Sequence, residues 1–275
     1  MNSNVIYNFS KLKPSLFFLP LFLLLTLVVV LYTQGPLNAT TYLQIQKEAF
    51  FYINHHLGQF PTIEYNLTQL GDASILLSFL TIFILYAPKI WESLLSASLF
   101  SLLFSTVLKN LFLVPRPSEV YDNSSFFIVG KTAVGFASLP SGHSITVFTT
   151  LTVLLFGFMP KNLNSKLLWI VSLLCVGLLI VVSRVGVGAH HPLDVITGSI
   201  IGYISGLLGI FTNQKYNIWK WVNDKRYYPI FILLMLVCGV SLLLKIGVEN
   251  IIIYYLALIS LVVSLYKISY AYIKK

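Results

Sequence analysis

The sequence is short of charge. Of its 275 residues only 10% are Asp, Glu, Lys or Arg, while 57% are hydrophobic; a soluble domain carries roughly a quarter charged residues. So little polar surface cannot cover a core of this size in water, which excludes an ordinary water-soluble globule and makes lipid the principal solvent. Acids are the scarcest group, with 9 Asp and Glu against 18 Lys and Arg and a net charge of +9. Cysteine is nearly absent. Cys175 and Cys238 both fall inside apolar runs and read as small core residues, which excludes a disulfide framework or a cysteine-built zinc site. There is also no internal repeat, low-complexity tract or Gly/Ser linker, so a single integral membrane domain is expected, with a possible appendage at its C-terminal end.

What the chain does have is long apolar runs, with a mean hydropathy of +0.83. About 20 helical residues cross a bilayer core. Eight spans are expected, at about 15–33, 70–87, 90–114, 144–160, 167–183, 193–212, 229–247 and 250–270. All should be helices, because lipid offers no water to unpaired backbone groups. The fold class is therefore all-α, a polytopic membrane bundle. The first run is too long for a signal-peptide core and lacks an A-x-A site, so it is read as retained. Gly198, Gly202 and Gly206 recur every fourth residue, a small-xxx-small pattern that predicts close packing against a neighbouring helix.

The basic excess has a direction. With the N-terminus inside, Lys11, Lys13, Lys89, Lys161, Lys166, Lys215, Lys220, Lys225, Arg226, Lys267, Lys274 and Lys275 fall on one side. The other side receives only Lys47, Lys109, Arg116, Lys131, Arg184 and Lys245. That asymmetry follows the positive-inside rule and assigns the charge to cytoplasmic anchoring, not to nucleic acid. Trp219, Trp221, Tyr227 and Tyr228 beside the basic loop read as an interfacial aromatic belt.

Against this pattern, Lys109, Arg116, His143, Arg184, His190, His191 and Asp194 gather at the outer ends of the spans. Ionisable residues at membrane depth are costly and point to function. In "KNLFLVPRP" (109–117), a helix would stack Lys109 and Arg116 on one face, and Pro115 and Pro117 would end it. Two cations without an acid suit an anion, though lysine and arginine also snorkel at a span boundary. In "LPSGHSITVF" (139–148), Ser141, Gly142 and His143 begin a span. Helix-terminal N–H groups there favour a phosphate, and His143 is placed to protonate a leaving group. An ordinary serine cap would account for Ser141 and Gly142 but not for His143. In "SRVGVGAHHPLD" (183–194), Asp194 lies four residues after His190, close enough to accept its Nδ1 proton and leave Nε2 as a nucleophile. A plain polar contact, or an outer-shell partner of a metal, would use the same pair; a metal would want more ligands than this face offers. His191 is read as loop filler.

Together K-x6-RP, PSGH and SR-x5-H-x3-D resemble the three-part signature of the type 2 phosphatidic acid phosphatase superfamily. Every signature position matches: Lys109, Arg116, Pro117, Pro140, Ser141, Gly142, His143, Ser183, Arg184, His190 and Asp194. The resemblance covers a six-span core, 70–212 plus the first span. It divides the chain into a phosphatase core at 1–212, including the outer segment 34–66, and a basic loop with two extra spans at 213–275. It implies an integral enzyme of a bacterial cytoplasmic membrane, with its site on the extracytoplasmic face and a lipid phosphate or diphosphate as substrate. Undecaprenyl diphosphate, phosphatidylglycerol phosphate, phosphatidic acid and lipid A phosphates all fit. By that resemblance His190 is the nucleophile, Asp194 orients it, and His143 serves as acid and then base. Lys109, Arg116, Arg184, Ser141 and Gly142 hold the phosphate, with no metal or other cofactor.

Two rival readings remain from sequence. A lipid-to-lipid phosphotransferase would use the same phosphohistidine. A channel or scaffold would leave the signature without a purpose, and the related vanadium haloperoxidases are soluble, unlike this chain. The segment 34–66, with His55 and His56, is either a plain loop or a short interfacial helix. Asn38, Asn66 and Asn123 each begin an N-x-S/T triplet, which matters only in a secretory eukaryotic setting.

Overall fold

A backbone surrounded by lipid has to satisfy its own hydrogen bonds, and this chain does so with helices. The computed structural model describes residues 1–274, and no strand occurs among them; Lys275, assigned above to the basic side, lies outside the described residues. In chain order the helices are α1 (Asn2–Ser10), α2 (Phe18–Gln34), α3 (Ala39–Gly58), α4 (Pro61–Gln69), α5 (Ala73–Ser78), α6 (Phe83–Tyr86), α7 (Pro88–Phe112), α8 (Pro117–Val120), α9 (Gly142–Gly157), α10 (Leu163–Gly186), α11 (Pro192–Tyr216), α12 (Tyr228–Val248) and α13 (Ile252–Ile273). Among the described residues six segments are long and apolar enough to cross a membrane: Pro14–Gln34, Pro88–Val120, Leu163–Gly186, Pro192–Tyr216, Lys225–Val248 and Ile252–Ile273. Their outward faces carry exposed leucine, valine and isoleucine, such as Leu102, Leu179 and Leu244. The protein is an integral membrane helix bundle.

Two of the eight expected spans differ from expectation. The run 70–87 is not one helix but α5 and α6 joined by turns. It still travels from one end of the bundle to the other, from Gly71 against His143 to Ala87 at the start of α7. Distant side chains satisfy its opened backbone. Trp91 Nε1 donates to the Leu80 carbonyl at 2.7 Å, and Ser260 Oγ donates to the Ser78 carbonyl at 3.4 Å. Irregular backbone at membrane depth is tolerated only where protein covers it, and here α12 and α13 supply the cover. The expected span 144–160 is α9, whose 16 residues make a helix of about 24 Å, short of a hydrocarbon core of about 30 Å.

At the centre α11 packs on α9 and α7. The glycine stripe makes that contact possible. A Cβ on Gly202 would stand 2.5 Å from the Ile145 carbonyl oxygen, and one on Gly198 would stand 2.6 Å from the Ser141 carbonyl oxygen. The two cysteines part company. Cys175 is exposed on α10 and is not a core residue, whereas Cys238 is half-buried beside Ser74 and Ser78.

The segment 34–66 is neither a loop nor a short helix. The 20 residues of α3 place Tyr42, Gln46, Phe50, Asn54 and Gly58 in one buried stripe, at the four-residue spacing of a helix face. Asn38 caps α3 by accepting from Thr41 N at 2.9 Å.

Backbone atoms, unlike the end of a flexible side chain, cannot yield to an added methyl group. Gly202→Ala is therefore expected to destabilise the protein by about 1–3 kcal/mol, the range for overpacking. Gly247, which has open space around its Cβ position, provides the control. Thermal unfolding in detergent should show a lowered midpoint for Gly202→Ala and none for Gly247→Ala; equal midpoints would contradict the packing described.

Candidate active site

The site forms where α7, α9, α10 and α11 have their polar ends. Asp194, in the first turn of α11, is fully buried. Its Oδ1 accepts from the Tyr42 hydroxyl at 2.8 Å. Its Oδ2 accepts from Ser138 Oγ at 2.6 Å and from His191 N at 2.9 Å. His190 Nδ1 and His191 Nδ1 each stand 3.4 Å from the same Oδ2, near enough for electrostatic attraction but long for a formed hydrogen bond. Tyr42 remains a donor, because burial first and the Asp194 charge second hold its phenol well above the usual range.

The other face of His190 fixes its proton. Arg116 Nη1 lies 3.3 Å from His190 Nε2 and donates to the Ala189 carbonyl at 2.9 Å. A guanidinium has only donors, so Nε2 must offer its lone pair and the ring proton belongs on Nδ1, toward Asp194. Burial, with the Arg116 and Arg184 charges adding to it and Asp194 opposing, lowers the His190 imidazole to about 3. The ring is neutral at neutral pH.

The loop that presents His190 is held on several sides. Ala189 N and His190 N both donate to the Arg184 carbonyl, at 3.0 and 3.2 Å. Gly188 adopts a φ of +76°, and a Cβ there would lie 2.5 Å from the Phe127 carbonyl oxygen, so only glycine suits the turn. Asn54 Nδ2 donates to the carbonyls of Val185, Gly186 and Phe127, fastening α3 to the end of α10 from which this loop leaves.

Three cations surround the histidines. Lys109 Nζ lies against Gly142, 3.2 Å from where a Cβ would sit, which brings the ammonium to the start of α9. Arg184 Nη1 donates to Thr68 Oγ1 at 2.5 Å, and its Nε has no partner. Among the described residues none of the three forms an ion pair with a carboxylate. Lys109, Arg184 and His190 all act electrostatically on His143, whose ring edge packs on Gly71. A cluster of positive charge beside a neutral imidazole lone pair is suited to an anionic electrophile.

Some expectations need correction. Lys109 and Arg116 do not share a helix face: α7 ends at Phe112, where Leu113 turns the chain with a φ of +47°, and Arg116 lies in extended backbone just before α8. The Ser141 N–H is not free for a ligand, since it donates to the Asp194 carbonyl at 3.0 Å, and the Ser141 hydroxyl is buried and caps α9 at 3.4 Å from Ser144 N. The unpaired N–H groups of the first turn are those of Gly142 and His143. His191 is not filler: it is fully buried, caps α11 and packs on Phe50 and Tyr121 at ring distances of 5.5 and 5.9 Å. Sequence reasoning also missed Tyr42, Ser138 and Thr68. The one signal available was the four-residue stripe on α3 that carries Tyr42.

The PAP2 superfamily profile matches residues 89–219, which contain every one of the signature residues. A lipid A 1-phosphatase of Rhizobium etli is 34% identical over 154 residues, covering 53% of this chain and 62% of that protein. A bacitracin transport permease protein, BcrC, of Bacillus licheniformis is 37% identical over 78 residues, 28% of this chain and 34% of that protein. The chain thus spans less than two thirds of the length of either relative. The crystal structure of Aquifex aeolicus LpxE superposes with a TM-score of 0.50 at 26% identity, over 61% of this chain and 95% of that one. The chain thus carries a PAP2, or type 2 phosphatidic acid phosphatase, superfamily domain at residues 89–219.

Proposed function

We propose that this protein is a membrane lipid phosphate phosphatase working through a phosphohistidine at His190. The observation that carries the reading is the placement of His190, with Nε2 facing Arg116 and Nδ1 facing the buried Asp194. A lipid phosphate would seat its phosphoryl oxygens among Lys109, Arg116, Arg184 and the first-turn N–H groups of α9. Donors fixed in advance stabilise charge as it develops in the transition state. His190 Nε2 then forms a bond to phosphorus while the bond from phosphorus to the lipid oxygen breaks. His143 gives its proton to that oxygen, and the lipid leaves as an alcohol, or as a monophosphate if it began as a diphosphate. Water next attacks the phosphohistidine and passes a proton to His143, which releases inorganic phosphate and restores both rings.

The substrate class follows from where the pocket lies. It is bordered by membrane-spanning helices, so a headgroup can reach it while the tails stay in lipid. The lipid A 1-phosphatase among the relatives favours a phosphorylated glycolipid headgroup within that class. The charge asymmetry of the loops supports an extracytoplasmic site. The donors gathered at the pocket are cations and N–H groups, and the described residues contain no cluster of three His, Cys, Asp or Glu fit for a metal ion. Three cations supply the charge neutralisation that a metal would otherwise provide.

The direct test offers the purified protein lipid A, undecaprenyl diphosphate, phosphatidylglycerol phosphate and phosphatidic acid, and measures phosphate release with and without excess chelator. Release from at least one lipid, unchanged by chelator and inhibited by vanadate, is the expected result. Phosphate released from none, or activity abolished by chelator and restored by a divalent ion, would contradict the proposal.

The two histidines separate by variant. His190→Ala should abolish both phosphate release and any acid-labile phosphoenzyme. His143→Ala should lose about 10²–10⁴-fold on lipid substrates, the usual worth of general acid–base help. It should lose less on an activated aryl phosphate, whose leaving group needs no proton, and should accumulate phosphoenzyme. A phosphoenzyme in His190→Ala but none in His143→Ala would reverse the assignment.

A further inference from the structure

One cavity in the molecule lies away from the histidines. A cavity of about 950 Å³ lies at the opposite end of the bundle, between α1 with the start of α2 and the facing sides of α9 and α10. α9 starts at the histidine pocket and runs away from it for 16 residues, about 24 Å, and the cavity lies along its far half. Its floor is apolar, built from Phe148, Leu151, Leu155, Ile170, Leu173 and Leu174. Its rim is basic. Lys11, Lys13, Lys161 and Lys166 all line it, and all four are exposed.

These lysines come from separate elements: the end of α1, the linker before α2, the loop after α9 and the first turns of α10. None of them forms an ion pair among the described residues. Lys11 hydrogen-bonds the Tyr7 hydroxyl, and Lys161 Nζ stands 5.3 Å from the centre of the same ring. The tyrosine thereby holds two of the cations at one edge of the cavity. Lysines that merely anchor a span reach outward to the headgroups one at a time. Four that converge on a cavity make a localised positive field, which calls for a negative charge. The walls are fixed: Val5 and Phe9 of α1 are buried, and Asn8 Nδ2 donates to the carbonyls of Gly157 and Met159 at 3.0 and 3.1 Å.

We infer that this cavity is a binding site for an anionic membrane phospholipid, separate from the histidine pocket and in the opposite leaflet. The phosphate headgroup would sit among Lys11, Lys13, Lys161 and Lys166, and an acyl chain would lie along the leucine floor. The apolar floor is what selects a lipid over free phosphate, which would gain nothing from it. No bond is made or broken in this site.

Native mass spectrometry of the delipidated full-length protein in a neutral detergent tests the inference, with phosphatidylglycerol, phosphatidylcholine and inorganic phosphate as probes. Phosphatidylglycerol should be retained in preference to phosphatidylcholine, and any inorganic phosphate adduct should belong to the histidine site and persist when the four lysines are replaced. Replacing all four lysines by glutamine should reduce phosphatidylglycerol retention about tenfold or more, while replacing all four by arginine should preserve it. Leu174→Trp, which narrows the floor without touching the charge, gives a second variant should the glutamine protein fail to fold, and it too should lose the lipid. Lys109→Gln and Arg184→Gln should retain the lipid. Equal retention of the two phospholipids, retention undiminished in both the glutamine and Leu174→Trp proteins, or loss in Lys109→Gln or Arg184→Gln would overturn the inference.

Discussion

One buried carboxylate organises the site. Asp194 is cut off from solvent, and a charge in that position costs several kcal/mol unless polar partners surround it. The chain supplies them from four places: Tyr42 on α3, Ser138 in the loop before α9, the His191 backbone, and the two imidazoles at 3.4 Å. The Asp194 carbonyl also receives the Ser141 N–H, so the start of α11 and the start of α9 are joined at the same residue. The requirement to satisfy Asp194 thus draws the outer helix α3 over the site and sets two motifs side by side.

That arrangement links stability to chemistry. The glycine stripe of α11 lets α9 approach within backbone contact, and this closeness allows Ser141 to bond Asp194. The loop from 187 to 191 is fixed by Gly188 and the Arg184 carbonyl, and the end of α10 before it by Asn54, so His190 has little freedom. Arg116 then faces its Nε2. An imidazole held in one tautomer, next to unpaired cations, would need little rearrangement to act as the nucleophile proposed for it.

Much of this was legible in the sequence, and the reasons are physical. Long apolar helices declare themselves by length, and the glycines at 198, 202 and 206 by spacing. The signature cations and histidines stood out because charge is expensive near lipid. What stayed hidden depended on partners remote along the chain. Tyr42 reaches Asp194 across 152 positions, and nothing local to either residue announces the contact. The break in 70–87 is invisible in its apolar composition, because Trp91 and Ser260 make the open backbone affordable only once the fold exists. The Ser141 N–H looked free because a helix start normally leaves it so, whereas the Asp194 carbonyl takes it. Lys109 and Arg116 looked like one helix face because the turn at Leu113 carries no glycine or proline of its own.

The central claim is that Asp194 and Arg116 hold His190 with its proton on Nδ1 and its lone pair on Nε2. Phosphorus NMR of the phosphoenzyme, trapped at high pH and digested to the peptide carrying residue 190, distinguishes the two ring nitrogens. The account predicts phosphate on Nε2 of His190. Phosphate on Nδ1, or on a histidine other than His190, would contradict it.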